Sequence, residues 1–236
     1  MKEMIRRYMG QKLGSVGVCL SLLLLAILSA VMLQAGSPGG LTVFAVFVLA
    51  TGVVSRDSSS GALQMILSRP ILRVEYLMGR YFGVVLALAG FLASTFVLAV
   101  LFDRVGQVLG WSASSGFALG KALARCAEEL PKGALYAAVI LFFSTFLRGA
   151  GDVLAFVIGA VMLSFGPQLG MFLHNAGIVR AFRALDANLS PAPEWNEVFH
   201  GALLRPDLGR YALALAAYLL LAAVVFNRRE FSYGAD

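Results

Sequence analysis

An all-α, polytopic membrane protein with six transmembrane helices is what the sequence predicts, and three observations carry that expectation. The 236 residues are 59% hydrophobic and only 14% charged, against about 45–50% apolar in an average soluble domain. Leu13 to Val54 holds no charged residue, and neither does Tyr81 to Phe102. Between these runs, residues 55 to 80 bring together charges, helix signals and a proline turn, which places that insert at a membrane surface. A span needs about 20 apolar residues to cross about 30 Å of hydrocarbon. The length therefore allows about six helices in one transmembrane domain over residues 1–236, with no room for a sizeable soluble domain.

In chain order, Met1 to Leu13 alternates Lys2, Arg6, Arg7 and Lys12 with Met4, Ile5, Tyr8 and Met9. On a helix this gives one basic and one apolar face, suited to the membrane interface. The apolar run Gly14 to Gln34 is longer than the 7–15 residues of a cleaved signal, so it reads as a retained first span. Gly36-Ser-Pro-Gly-Gly40 breaks the helix, and Leu41 to Val54 is a short second span. The two form a hairpin, which puts the insert on the same side as the N-terminus.

Within the insert, Ser55, Asp57 or one of Ser58 to Ser60 can cap a helix. Leu63, Ile66 and Leu67 then share one face. Ser68-Arg69-Pro70 ends that helix, because proline lacks a donor and disfavours the helical region for the residue before it. A second helix restarts near Ile71 and runs into span three, Tyr81 to Phe102.

Residues 103–132 read as an outer loop with an interfacial helix, since Leu119, Leu123, Cys126 and Leu130 recur at helical spacing beside Lys121, Arg125, Glu128 and Glu129. Span four is Gly133 to Leu147, and Arg148 to Asp152 an inner turn. Span five starts at Val153 and meets Gly166-Pro167, where a kink or break is expected. Residues 168–206 read as a second outer loop with short re-entrant or interfacial helices. Span six is Leu208 to Phe226, anchored by Arg228 and Arg229. Small residues on span three (Gly83, Gly90, Ala93, Ser94) and span five (Gly159, Gly166) suit close helix packing.

With this assignment the inner segments carry eleven Lys or Arg and six Asp or Glu, and the outer ones eight and seven. Basic residues favour the cytoplasmic side, so both termini are expected there. The net charge of +6 then reports topology and anionic lipid, and nucleic acid is not an expected partner.

The residues of the insert carry a resemblance. Arg56-Asp57, Gly61, Leu67-Ser68-Arg69-Pro70 and then Arg73-Val-Glu-Tyr-Leu-Met-Gly-Arg80 are similar to the cytoplasmic signature of the type-2 ABC-exporter permeases. There an acidic residue, a Gly-Thr pair and a Leu-Ser-Arg-Pro turn precede the third span. Val225-Phe-Asn-Arg-Arg-Glu-Phe-Ser-Tyr-Gly resembles that family's short basic tail. The family more often has Glu at the position of Asp57 and Thr at that of Ala62.

The resemblance implies that residues 1–13 are an elbow helix and residues 55–70 a coupling helix seated on a cytoplasmic ATPase. It assigns polar contacts to Arg56 and Asp57, close approach to Gly61, apolar docking to Leu63, Met65 and Ile66, and the turn to Arg69 and Pro70. It further implies a homodimer or pairing with a second permease, a bacterial or archaeal inner membrane, and ATP and Mg held by the partner ATPase. The 168–206 loop could dock an extracytoplasmic partner. A membrane scaffold or assembly factor without transport is the alternative.

The interiors of the spans lack ionisable groups, whereas a proton relay would need one at depth. Gly116-Phe-Ala-Leu-Gly120-Lys121-Ala122 is only part of a P-loop: Ser115 replaces its first glycine, and Ala122 cannot ligate magnesium. The chain is therefore not expected to be an enzyme or to hold a cofactor. His174 and His200 with Glu194 and Glu197 lack metal-ligand spacing. Cys19 and Cys126 make no disulfide framework.

Overall fold

The computed structural model describes residues 2–34, 41–51, 54, 72–110, 118–147, 151–191, 193 and 206–228. Among them the regular structure is all helical: α1 (Lys2–Leu13), α2 (Val16–Gln34), α3 (Thr42–Ala50), α4 (Arg73–Leu109), α5 (Leu119–Ser144), α6 (Gly151–Phe172), α7 (Ala176–Leu189) and α8 (Pro206–Arg228). Four described helices are long and apolar enough to cross a membrane: α2, α4, residues Leu154–Phe172 of α6, and α8. This is a membrane protein. The chain forms two compact units, one of residues 1–50 and 78–137, the other of residues 51–77 and 138–236.

In the first unit small side chains let helices approach. Ala30 and Leu33 of α2, Ala99 of α4 and Ala122 of α5 form a buried cluster, with Phe96, Leu98 and Cys126 packed on it. Gln34 closes α2 by donating from Nε2 to the Ala99 carbonyl at 2.9 Å, and the Tyr81 hydroxyl donates to the Ala134 carbonyl at 3.3 Å. Gly133 of α5 lies against Val46 and Leu88, where a Cβ would overlap the leucine. Hydrocarbon cannot satisfy polar groups, so such bonds between helices are what binds them besides packing.

In the second unit α6 and α7 form a tight antiparallel hairpin. Its turn needs one residue in the left-handed region, and His174 takes it at φ 51. Asn175 caps α7, its Oδ1 accepting from the Gly177 and Ile178 N–H groups at 3.0 and 3.3 Å. Gly166 and Gly170 face α7: a Cβ on the first would overlap the Phe182 ring, and one on the second would sit 2.9 Å from the Val179 backbone nitrogen. The Gly-x-x-x-Gly spacing is therefore an interface for close helix approach.

Several boundaries differ from the sequence expectation. Span three does not stop at Phe102: Gln107 donates to the Asp103 carboxylate at 2.8 Å one turn back, and the helix ends only at Gly110, φ +68. Residues 119–132 and span four are one helix, since α5 runs through Pro131, braced by a 3.1 Å Lys132–Glu129 ion pair. Pro167 likewise stays inside α6. Arg210 stands in the first turn of α8, 3.6 Å from Asp207. For span two, described helix covers the nine residues of α3, about 13 Å at 1.5 Å per residue. Gly83 and Gly166 serve packing as expected, whereas Gly90 and Gly159 face open space.

Gly166→Leu is expected to destabilise the detergent-solubilised protein by about 1–3 kcal/mol through overpacking. Gly159→Ala, in open space on the same helix, should be neutral or stabilising by up to about 1 kcal/mol. Thermal melts of the two variants beside wild type check this, and equal melting of both would contradict the packing role.

Candidate functional site

The eight residues that the sequence singles out, Arg56, Asp57, Gly61, Leu63, Met65, Ile66, Arg69 and Pro70, lie outside the described residues. What the structure does show is how the chain is held immediately before and after that segment.

On the first unit, the fixing point is Tyr8 of α1. Its side chain is buried, and its hydroxyl donates to the carbonyl of Leu49. That carbonyl belongs to the last turn of α3, which has no partner within its own helix. The Arg80 guanidinium carbon stands 5.5 Å from the Tyr8 ring centroid, within the range of a cation–π contact. Gly83 receives the ring edge, with a Cβ there falling 2.6 Å from Tyr8 Cδ1. Burial pushes the Tyr8 hydroxyl well above its ordinary pKa, with Arg80 pulling weakly the other way; the group stays a protonated donor. Tyr8 thus ties α1 to the helix that leads into the insert and to the helix that leaves it.

On the second unit, both chain ends of the insert are tethered. Val54, a buried turn residue, donates its backbone N–H to Ser144 Oγ at 3.1 Å, at the C-terminal end of α5. Beyond the insert, Arg73 Nη1 donates to the Asn227 carbonyl at 3.0 Å, one of the last-turn acceptors of α8 that a cation favours. Tyr76 stacks on Phe226, centroids 5.8 Å apart and planes 18° from parallel, and both side chains are fully buried. The start of α4 is therefore locked to the end of α8. Asp152, also buried, sits in the first turn of α6.

Sequence reasoning named Arg73 and Tyr76 only as flanks of a helix, and Phe226 and Ser144 not at all as site residues. The signal available was the charge of Arg73 just after Pro70; nothing local points to Asn227, 154 residues away. Cys126, half-buried, has its thiol raised by burial and by the neighbouring Glu129 charge, which makes it a poor nucleophile. Among the described residues no three His, Cys, Asp or Glu come together as a metal site would require.

No protein-family model matches the chain, and no curated protein matches it.

Arg73→Gln combined with Tyr76→Leu should free the start of α4 from the end of α8. A loss of about 1–2 kcal/mol changes an opening equilibrium about 5–30-fold, so trypsin should cut the insert after Arg56 at least about fivefold faster, Arg69 being protected by Pro70. Tyr8→Phe removes the donor to Leu49 and is expected to cost about 1–3 kcal/mol in a thermal melt. Wild-type cleavage rate in the first variant would contradict the tether.

Proposed function

We propose that the chain is the membrane-spanning permease subunit of an ATP-driven ABC exporter, working with separate cytoplasmic ATPase subunits. The observation that carries this reading is the tethering of both ends of residues 55–71: Val54 to Ser144 on one side, Arg73 and Tyr76 to Asn227 and Phe226 on the other. A segment with helix and turn chemistry that is bonded at each end to a different long helix is suited to pass force to those helices. Its Leu67-Ser68-Arg69-Pro70 turn supplies the likeness to the exporter permeases.

In this proposal α1 is the elbow helix, residues 55–70 are the coupling helix, and there are six spans. Span two contains α3 and span four contains the apolar half of α5. Both termini are cytoplasmic, in a bacterial or archaeal inner membrane. Closure of two ATPases on ATP and Mg presses on the coupling helix. Arg56 and Asp57 make its polar contacts, Gly61 allows close approach, and Leu63, Met65 and Ile66 dock its apolar side. Arg69-Pro70 passes the displacement to α4, and the Tyr76–Phe226 stack carries it on to α8. The protein works as a dimer, with a second copy or a second permease.

The test is co-expression with the ATPase encoded nearest to this chain, purified through a tag on the permease, for wild type and for Arg56→Glu with Gly61→Trp. The ATPase should co-purify with wild type and be reduced about tenfold or more with the membrane-inserted variant, the loss of a few docking contacts at about 1.4 kcal/mol per decade. Equal retention by both, or by neither, would count for the scaffold reading instead.

A further inference from the structure

Four polar side chains lie on α7: Arg180, Arg183, Asp186 and Asn188, all exposed. Their depth follows from the helix they pack on. Residues Leu154–Phe172 of α6 form a 19-residue apolar span, about 28 Å long at 1.5 Å per residue, so nearly all of it is needed to cross about 30 Å of hydrocarbon. Helix α7 folds back along that span, with Val179 against Gly170 and Phe182 against Gly166. Each step forward on α7 is a step back on α6, so Arg183 draws level with Phe165 and Asp186 with Met162. Met162 is ten residues from Phe172, about 15 Å from the turn end and close to the middle of the span.

A second contact gives the same depth. The Tyr218 hydroxyl donates to the Leu189 carbonyl at 3.1 Å, and Tyr218 lies near the middle of the 23-residue α8. The C-terminal end of α7 therefore lies level with the middle of both apolar helices, α6 and α8.

Charged groups at such depth are costly in lipid, and in membrane proteins they face a bundle interior or a water-filled cavity. The two faces of α7 differ in kind. Ile178, Val179 and Phe182 are half-buried towards α6. Arg183 and Asp186 make no ion pair with any described residue, while Arg180 Nε turns back to the Ala176 carbonyl at 3.3 Å and Asn188 to that of Ala184 at 2.7 Å. Neighbouring residues on α6 at the same level, Val161, Met162 and Phe165, are exposed and apolar and suit lipid. Asp186 follows Phe182 by four residues and Val179 by seven, on the stripe that meets α6, so Arg180 and Arg183, one turn apart, leave the other side of α7 positive.

We infer that this face of α7 lines a water-filled cavity at membrane depth, and that Arg180 and Arg183 offer there a binding position for an anionic group, a carboxylate or phosphate, of what enters it. The inference rests on α6 being a span and not on coupling to an ATPase; it stands or falls separately from the exporter proposal.

The test uses the full chain in proteoliposomes with Cys19→Ser and Cys126→Ser, carrying either Ala184→Cys on the polar face or Met162→Cys on the lipid side of α6. Each is reacted with a sulfonate-bearing and with a trimethylammonium-bearing methanethiosulfonate. The Ala184→Cys chain should react about tenfold faster than Met162→Cys, as water access requires, and should favour the anionic reagent. Adding Arg183→Gln should lower its anionic-to-cationic rate ratio about threefold, because the local positive potential falls. Reaction as slow as at Met162→Cys, or a ratio unmoved by Arg183→Gln, would overturn the inference. A nitroxide at Leu185→Cys separates depth from surface. Relaxation dominated by oxygen is expected, whereas dominance by a water-soluble nickel chelate would put α7 on the membrane surface and also overturn it.

Discussion

Hydrocarbon offers no hydrogen-bonding partner, and the described architecture depends on that constraint. Helices answer it along their length, but every helix end leaves carbonyls or N–H groups that something else must meet. Here those ends are met by side chains from distant helices. Tyr8 serves the last turn of α3, Arg73 that of α8, Tyr218 that of α7, and Gln34 reaches a carbonyl of α4. Because helices in lipid gain little from apolar contact alone, these directional bonds and the glycine contacts decide which helices adjoin.

The same constraint ties local chemistry to the proposed mechanism. A segment between Val54 and Leu72 can transmit force only if its ends are fixed, and the fixing groups are a serine hydroxyl, an arginine and an aromatic stack. None of the three works by net charge alone. The Arg73 bond uses the partial negative charge of a helix end, and the Tyr76–Phe226 stack adds area buried on both sides.

Much of the fold was legible because apolar runs and helix breakers are local properties. The span boundaries of α2 and α8 and the short helix at the N-terminus follow from such runs. The misses have one physical origin: sequence reading treats proline and charge as ends, while packing overrides both. Pro131 and Pro167 remain within α5 and α6, and Asp103 lies within α4, paired to Gln107. At α7 the sequence leaves re-entrant and interfacial helices open, and the Gly166 and Gly170 contacts fold the helix back along α6. The tethers of the insert were illegible because Asn227 and Ser144 carry no pattern that names a partner so far away in the chain. The insert itself, read from its own residues, lies outside the described structure.

The central claim is that residues 55–70 of the proposed permease rest on an ATPase, and photo-crosslinking tests it most directly. With a benzophenone amino acid at Leu63, and separately at the exposed Leu213 of α8, illumination of membranes containing both proteins should give an ATPase adduct from Leu63 and none from Leu213. An ATPase adduct absent from Leu63, or equally strong from Leu213, would contradict the account.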